Sequence, residues 1–389
     1  MDSLEINVNK MEKSRQNQET SLTNAYSLFV YAIRTQITKD YYLRRLRSFF
    51  DYIKLLPNAN IELRCNQFAA VAIKDPKWTF GTIINFLQYQ KERVEREEIT
   101  AATLYNFVKA LKLFCEMSDV PIAWKKITRG LPKVRSFAND RAPTIEEIRK
   151  MTEYPDRRMK AIVYTMASSG IRLGAWDYLH WKDIEPVSKD GRVVAAKVTV
   201  YSGEEDEYFS FITPESFYEL ERWISYRKEA GEVIDKNTWA MRQLWNTKEG
   251  YYHGIVTEPI KLESSGIKRL IERSLWSQGI RKKSDIKRNR YEFQTNHGFR
   301  KWFKTRCEIA GMKSINIEKL MGHSVGISDS YYRATESELL EDYLKAIDFL
   351  TINEENMLRK KIKVLEVQRS KIDALQSKLE DLENKIRKK

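Results

Sequence analysis

Residues 296–312, NHGFRKWFKTRCEIAGM, place a histidine and an arginine three positions apart. On one helix face that spacing points the His297 imidazole and the Arg300 guanidinium at the same spot. Arginine is the preferred fork for a phosphate, because its planar donors match two oxygens at once. An HxxR pair alone is common, and most arginines make surface ion pairs, so its meaning depends on its surroundings. Downstream, residues 320–334 read LMGHSVGISDSYYRA, with His323 and the pair Tyr331 and Tyr332; upstream, residues 168–184 read SSGIRLGAWDYLHWKDI, with Arg172. Two arginines and two histidines around a tyrosine could bind a phosphodiester, spread the charge of a pentavalent transition state and activate an otherwise inert phenol. A tyrosine pair is more often packing than a nucleophile. The joint pattern carries the reading, not any one residue.

Taken in order, the three segments resemble the signature boxes of the tyrosine recombinase family, which includes phage and archaeal integrases and Xer-type chromosome resolvases. SGIR resembles the family's TGxR turn and carries its first arginine at Arg172. HGFR resembles the HxxR box, giving His297 and Arg300, and LMGHS resembles the LGH box, giving His323 at the usual interval. The family's nucleophile stands nine residues after that histidine, which lands on Tyr332 and not on Tyr331. The resemblance implies transesterification without metal, nucleotide or other cofactor. The tyrosine attacks the scissile phosphate, leaving a 3′-phosphotyrosyl link and a free 5′-hydroxyl, and a partner strand's 5′-hydroxyl reverses the step. By position, Arg172 and Arg300 clamp the non-bridging oxygens, and His297 and His323 donate hydrogen bonds and assist proton transfer.

Two departures from the family pattern stand out. The acidic residue that usually follows the first arginine by three positions is Ala175 here, with Asp177 near but out of register. The family also places a lysine general acid in a β-hairpin, commonly at its turn, whereas the turn here is SGEEDE. Lys197, in the preceding strand, is the nearest candidate; an ordinary exposed strand lysine is the competing reading.

Outward from these boxes the sequence divides into segments. Residues 1–24 are polar and read as a flexible N-terminus. Over 25–130, Tyr42, Leu43, Leu46, Phe49, Phe50 and Ile53 recur at helical spacing, while Arg44, Arg45 and Arg47 project from other faces. Stretches from Trp78 and from Thr100 repeat the theme, with Thr100 a plausible N-cap. The resemblance makes this a helical, SAM-like core-binding domain. A linker over 131–143 carries Pro132 and Pro143 among basic residues. Thr144 with Glu147 forms a capping box that opens the next domain, 144–350, which the resemblance makes catalytic. Two alternating strands are expected there, Val193 to Tyr201 and Tyr208 to Thr213, and a basic loop, RKKSDIKRNR, spans Arg281 to Arg290. Leu340, Tyr343, Leu344 and Ile347 then share one helical stripe. In the family such a helix packs into a neighbouring protomer; the alternative is folding back on its own domain. The tail, 351–389, carries Leu358, Leu365, Ile372, Leu379 and Ile386 at seven-residue intervals, a coiled-coil pattern in which Lys361 and Gln368 interrupt the second apolar row. One long helix lying on the protein is the alternative. The expected fold class is therefore mainly α with a small β-hairpin or sheet.

Composition narrows the partners. A net charge of +14 over 389 residues attracts polyanions, either nucleic acid or an anionic membrane surface. No run approaches the roughly 20 apolar residues of a spanning helix, so the chain reads as soluble and cytoplasmic. Three separated cysteines, Cys65, Cys115 and Cys307, read as free thiols, and four histidines without HExxH or CxxC spacing give a metal site little support. The expected partners are double-stranded DNA and further copies of the chain, a homotetramer on DNA through the C-terminal helix, with no membrane and no small-molecule substrate. The expected function is site-specific recombination through a Holliday junction, as in the DNA integration of a mobile element. A type IB topoisomerase, or a non-catalytic DNA-binding scaffold descended from a recombinase, are the competing readings.

Overall fold

The computed structural model describes residues 24–134, 141–244, 257–281, 293, 295–326 and 331–387, and the chain divides into two compact units, Met1–Ser136 and Phe137–Lys389. In the first, polar caps and apolar stripes set the helices: α1 (Ala25–Tyr31), α2 (Gln36–Tyr52), α3 (Ile61–Lys74), α4 (Pro76–Glu95), α5 (Ala101–Met117) and α6 (Trp124–Arg129). Asn24, Thr35, Asn60, Asp75 and Thr100 each accept a backbone N–H of the turn they open, satisfying a donor the helix leaves unpaired. The stripes meet in an aromatic core in which Phe49, Phe50, Phe68, Phe86 and Phe114 are fully buried, with Phe49 edge-on to Phe86 at 5.1 Å between centroids. Arg44 and Arg47 stay exposed, while Arg45 folds onto the Tyr41 carbonyl at 2.8 Å.

The second unit starts at α7 (Ile145–Thr152), where both bonds of the Thr144–Glu147 capping box form and Arg141 forks onto the Glu147 carboxylate at 2.7 Å through each terminal nitrogen. Helix α8 (Met159–Ser169) is buried on every side and is the axis of the unit. A three-stranded antiparallel sheet follows, β1 (Ile184–Lys189), β2 (Arg192–Val200) and β3 (Tyr208–Ile212), in the order β1-β2-β3. Ile184 stands opposite Val198, and Ala196 opposite Ile212. The structure therefore adds a strand to the two expected. β1, IEPVSK, is mostly exposed and contains Pro186, so it lacks the apolar alternation that marks a half-buried strand; Pro186 is tolerated because β1 is an edge. The available signal was Asp190–Gly191, whose φ values of 51° and 70° make the two-residue turn that such a dipeptide favours.

Around α8 and the sheet pack α9 (Pro214–Glu229), α10 (Ser264–Ser277), α11 (Thr295–Ile309) and α12 (Ser314–Leu320). The segment after Tyr332 forms α13 (Glu336–Leu344) and α14 (Ile347–Leu350), and here it folds back on its own unit. Leu339, Tyr343, Ile347 and Leu350 are buried, and the Tyr343 hydroxyl donates to the Ser168 carbonyl at 2.8 Å. The last helix, α15 (Glu354–Arg387), runs uninterrupted through the tail. Most of the basic loop, residues 282–290, lies outside the described residues. Cys65, Cys115 and Cys307 are free and buried, and burial pushes the first two thiols up to about 12 and the third well above its ordinary value. Among the described residues, no helix is long and apolar enough to cross a membrane.

Candidate active site

The turn that ends α8 begins the site. Gly170 closes the helix at φ +61°, and a Cβ there would lie 2.5 Å from the Phe303 ring, so both conformation and space require glycine. The chain then turns outward at Arg172, whose Nη2 donates to the Gly322 carbonyl at 2.7 Å. The Gly170 carbonyl in turn accepts from Arg300 Nη1 at 2.5 Å. Arg300, on α11, is only 7% exposed and also donates through both terminal nitrogens to the Met321 carbonyl at 3.2 Å. The two arginines thus grip consecutive carbonyls, Met321 and Gly322, and the next residue is His323.

His323 is fixed from both ring nitrogens. Arg300 Nη2 contacts its Nε2, and the Glu318 carboxylate contacts its Nδ1. A guanidinium only donates, so Nε2 is the acceptor and Nδ1 carries the proton that Glu318 receives. Burial works against the Glu318 charge, but hydrogen bonds from Lys304, at 2.5 Å, and from His323 hold its carboxyl below the usual range. Glu318 was not singled out from the sequence. It lies five residues before His323, and the two face each other only because Gly322, at φ +67°, turns the chain back on the end of α12. A Glu318→Gln substitution is expected to mix the two His323 tautomers, because a neutral amide that can accept or donate replaces the carboxylate that keeps the proton on Nδ1. Nitrogen-15 NMR of the imidazole checks this, and an unaltered tautomer would assign the orientation of His323 to Arg300 alone.

The sheet closes the other side. Tyr208 lies against Gly322 so closely that a Cβ there would sit 2.5 Å from its ring. Burial raises the Tyr208 phenol above its ordinary range, with the Arg300 and Arg172 guanidiniums pulling it back. Tyr201, just past β2, is raised for the same reason. Neither tyrosine was picked out from the sequence, where aromatic residues in a strand read as packing.

The remaining expected residues stand apart from this knot. His297 is exposed on the first turn of α11, one turn before Arg300 on the same face. The Lys197 ammonium pairs with Glu336 Oε2 at 2.6 Å and lies 5.2 Å from the Phe209 ring centre, bonded to neither arginine. Tyr331 is 85% exposed, whereas Tyr332 is half-buried and its hydroxyl donates to Asn316 Oδ1 at 2.8 Å, not to the arginines or histidines. Asn316 is itself clamped: its amide donates to Asp342 at 2.7 Å, and Asp342 also accepts from the Lys313 N–H and the Lys345 ammonium. Burial opposes the Asp342 charge, yet these donors hold its carboxyl below the ordinary range. Lys319 bonds the Tyr332 carbonyl and lies 5.0 Å from its ring centre. The phenol therefore faces a surface cleft lined also by Arg333, Glu338 and Glu341. Residues 327–330, between His323 and Tyr332, lie outside the described ones. Asp177, the out-of-register acid, caps α10 by accepting from the Ser264 N–H at 2.7 Å and hydroxyl at 2.6 Å.

No protein-family model matches the sequence, and no curated protein matches it. Among solved structures, the chain is similar to the crystal structure of XerA recombinase, with 22% identity, 79% of this chain and 97% of that one covered, and a TM-score of 0.35. It is similar also to a lambda integrase dimer bound to a COC′ core site, at 17% identity, 74% and 95% coverage and a TM-score of 0.42. The Tn1549 transposon integrase in complex with circular intermediate DNA matches at 17% identity over 67% of this chain and 84% of that one, with a TM-score of 0.42.

Proposed function

We propose that this chain is a site-specific tyrosine recombinase, which cuts and rejoins duplex DNA through a 3′-phosphotyrosyl intermediate. The observation that supports the reading is the meeting of Arg172, Arg300 and His323, from three separate stretches of sequence, at the carbonyls of Met321 and Gly322. Two guanidiniums held by backbone acceptors and one oriented imidazole form a preorganised cradle for a phosphate and for the charge it gains in a pentavalent transition state. The net charge of +14 draws the chain to the DNA backbone. Residues 25–130 serve as the core-binding domain and 144–350 carry the chemistry.

In this mechanism Arg172 and Arg300 hold the non-bridging oxygens, Arg300 giving up for them the bond its Nη2 makes to His323. The Tyr332 hydroxyl exchanges its bond to Asn316 for the phosphorus, with His297 hydrogen-bonding the phosphate and His323, its Nε2 released from Arg300, taking the phenolic proton. The bond from phosphorus to the 5′-oxygen breaks as the tyrosyl ester forms, and Lys197 protonates the departing 5′-oxygen once it is released from Glu336. A 5′-hydroxyl from a partner strand then attacks the ester and frees the tyrosine. The ester conserves the bond energy, so no nucleotide enters, and two successive exchanges within a tetramer pass through a Holliday junction.

The test uses duplexes of randomised sequence nicked just downstream of the cleavage site, so that the short fragment carrying the free 5′-hydroxyl diffuses away after cleavage. A protein–DNA adduct that survives denaturing detergent in the presence of a chelator is expected, and sequencing the trapped DNA gives the target site. No adduct from any sequence would overturn the reading, and relaxation of supercoiled DNA by a monomer without recombinant products would replace it with a type IB topoisomerase. Lys197→Ala is expected to slow cleavage about 100-fold or more while DNA binding changes little. A substrate with sulfur in place of the bridging 5′-oxygen, whose leaving group needs no proton, should restore the rate; absence of that rescue would move the general acid to another residue.

A further inference from the structure

The apolar stripe of α13 and α14 is consumed inside its own unit, which leaves α15 as the C-terminal element with an unpartnered face. Leu358, Ile362, Leu365, Ile372 and Leu375 are each more than half exposed, and every residue from 365 to 378 is exposed. At 1.5 Å per residue the 34-residue helix extends about 50 Å. Helices in water owe most of their stability to burying an apolar face, so one this long calls for a partner of matching period. The stripe repeats every seven residues, and a second copy of the chain carries the same repeat.

Over residues 365–378, charge and polarity then favour one orientation. With Leu358, Leu365 and Ile372 at position a of the heptad, Lys371 and Lys378 fall at g and Gln376 at e. An antiparallel pair sets g rows against each other, so Lys371 would face Lys378. It would also bury Gln368, at d, against an apolar a position. A parallel pair sets g against e, placing Lys371 beside Gln376, and lets Gln368 meet its own copy. In the sequence the seven-residue apolar repeat runs on through Leu379 and Ile386.

We infer that α15 joins two copies of this chain in a parallel, in-register coiled coil that forms without DNA. The association goes beyond the recombinase reading, since it assembles protomers before any DNA is met. Its test contains no DNA, so its outcome is separate from that of the adduct experiment. Sedimentation velocity on the full chain at micromolar concentration is expected to show a dimer. The double substitution Ile372→Asp, Leu375→Asp should weaken self-association about 100-fold. Its circular dichroism should otherwise indicate a folded chain, because both side chains are exposed in the single copy. A monomeric wild type, or a dimer indifferent to the double substitution, would overturn the proposal. Orientation is read from Leu365→Cys, whose mild oxidation should yield a disulfide between copies; the buried native cysteines stay silent. A dimer that gives no such link would exclude the parallel register, because in the antiparallel pair the two positions lie more than two helical turns apart.

Discussion

Under the proposed mechanism, Tyr332→Phe is expected to eliminate the covalent adduct with nicked DNA, a loss on the order of 10⁴-fold or more, because the oxygen assigned as nucleophile is removed. The change is small for the fold. It deletes one hydrogen bond, from the phenol to Asn316, whose loss costs about 1 kcal/mol, and Asn316 keeps its bond to Asp342. Binding to the same DNA should persist, since the arginine cradle does not involve the phenol. Tyr331→Phe is the paired control. Its ring is 85% exposed, so a fully active variant is expected. If Tyr331→Phe were the inactive one, the nucleophile would stand one residue earlier and the phenol on Asn316 would be a structural contact.

Glu232→Ala is expected to produce the largest loss of stability among single substitutions outside the apolar core. The Glu232 carboxylate is fully buried between Arg227, equally buried, and Arg242, 4% exposed. It receives Arg227 Nε at 3.0 Å and Arg242 Nε at 2.6 Å, while the Trp223 ring lies within 6 Å of both guanidiniums. Removing the carboxylate leaves two buried cations with no counter-charge, which costs about 3–5 kcal/mol. For a unit of this size that corresponds to a drop in Tm of about 10 °C, read by calorimetry. Replacing all three residues by apolar side chains of similar volume should recover much of the loss, because the triad compensates its own desolvation and little more. A Glu232→Ala chain that melts within about 2 °C of wild type would show that water reaches the arginines.

Much of the candidate site was readable because its chemistry sits in short motifs of fixed spacing. Arg172, His297, Arg300 and His323 were marked by residue type and interval, and the structure brings Arg172, Arg300 and His323 together. The helical period alone puts His297 one turn before Arg300 on α11, where it stands exposed and apart from the other three. Glu318, Tyr208 and Asn316 were not readable, since each gains its meaning from a neighbour distant in sequence or reached through a loop with positive φ. Lys197 was named from its place in the strand, but its pairing with Glu336, 139 residues away, was not readable. In the fold, apolar periodicity and caps marked most helices, whereas β1 escaped because an exposed edge strand has no buried face to impose alternation.

Residue order alone determined the helical character, the capping box at Thr144, the strands around Lys197 and the set of chemically competent side chains, because these depend on local periodicity and on the few residue types that can serve each role. Tertiary structure alone decided that the Tyr332 phenol rests on Asn316, that Asp177 caps a helix and supports no arginine, and that the stripe after Tyr332 fills its own core and leaves α15 bare. The physical reason is that a periodic stripe specifies only that a face must be buried. Which surface buries it, like which acceptor takes a buried proton, follows from the competition among all the surfaces and acceptors that folding brings within reach.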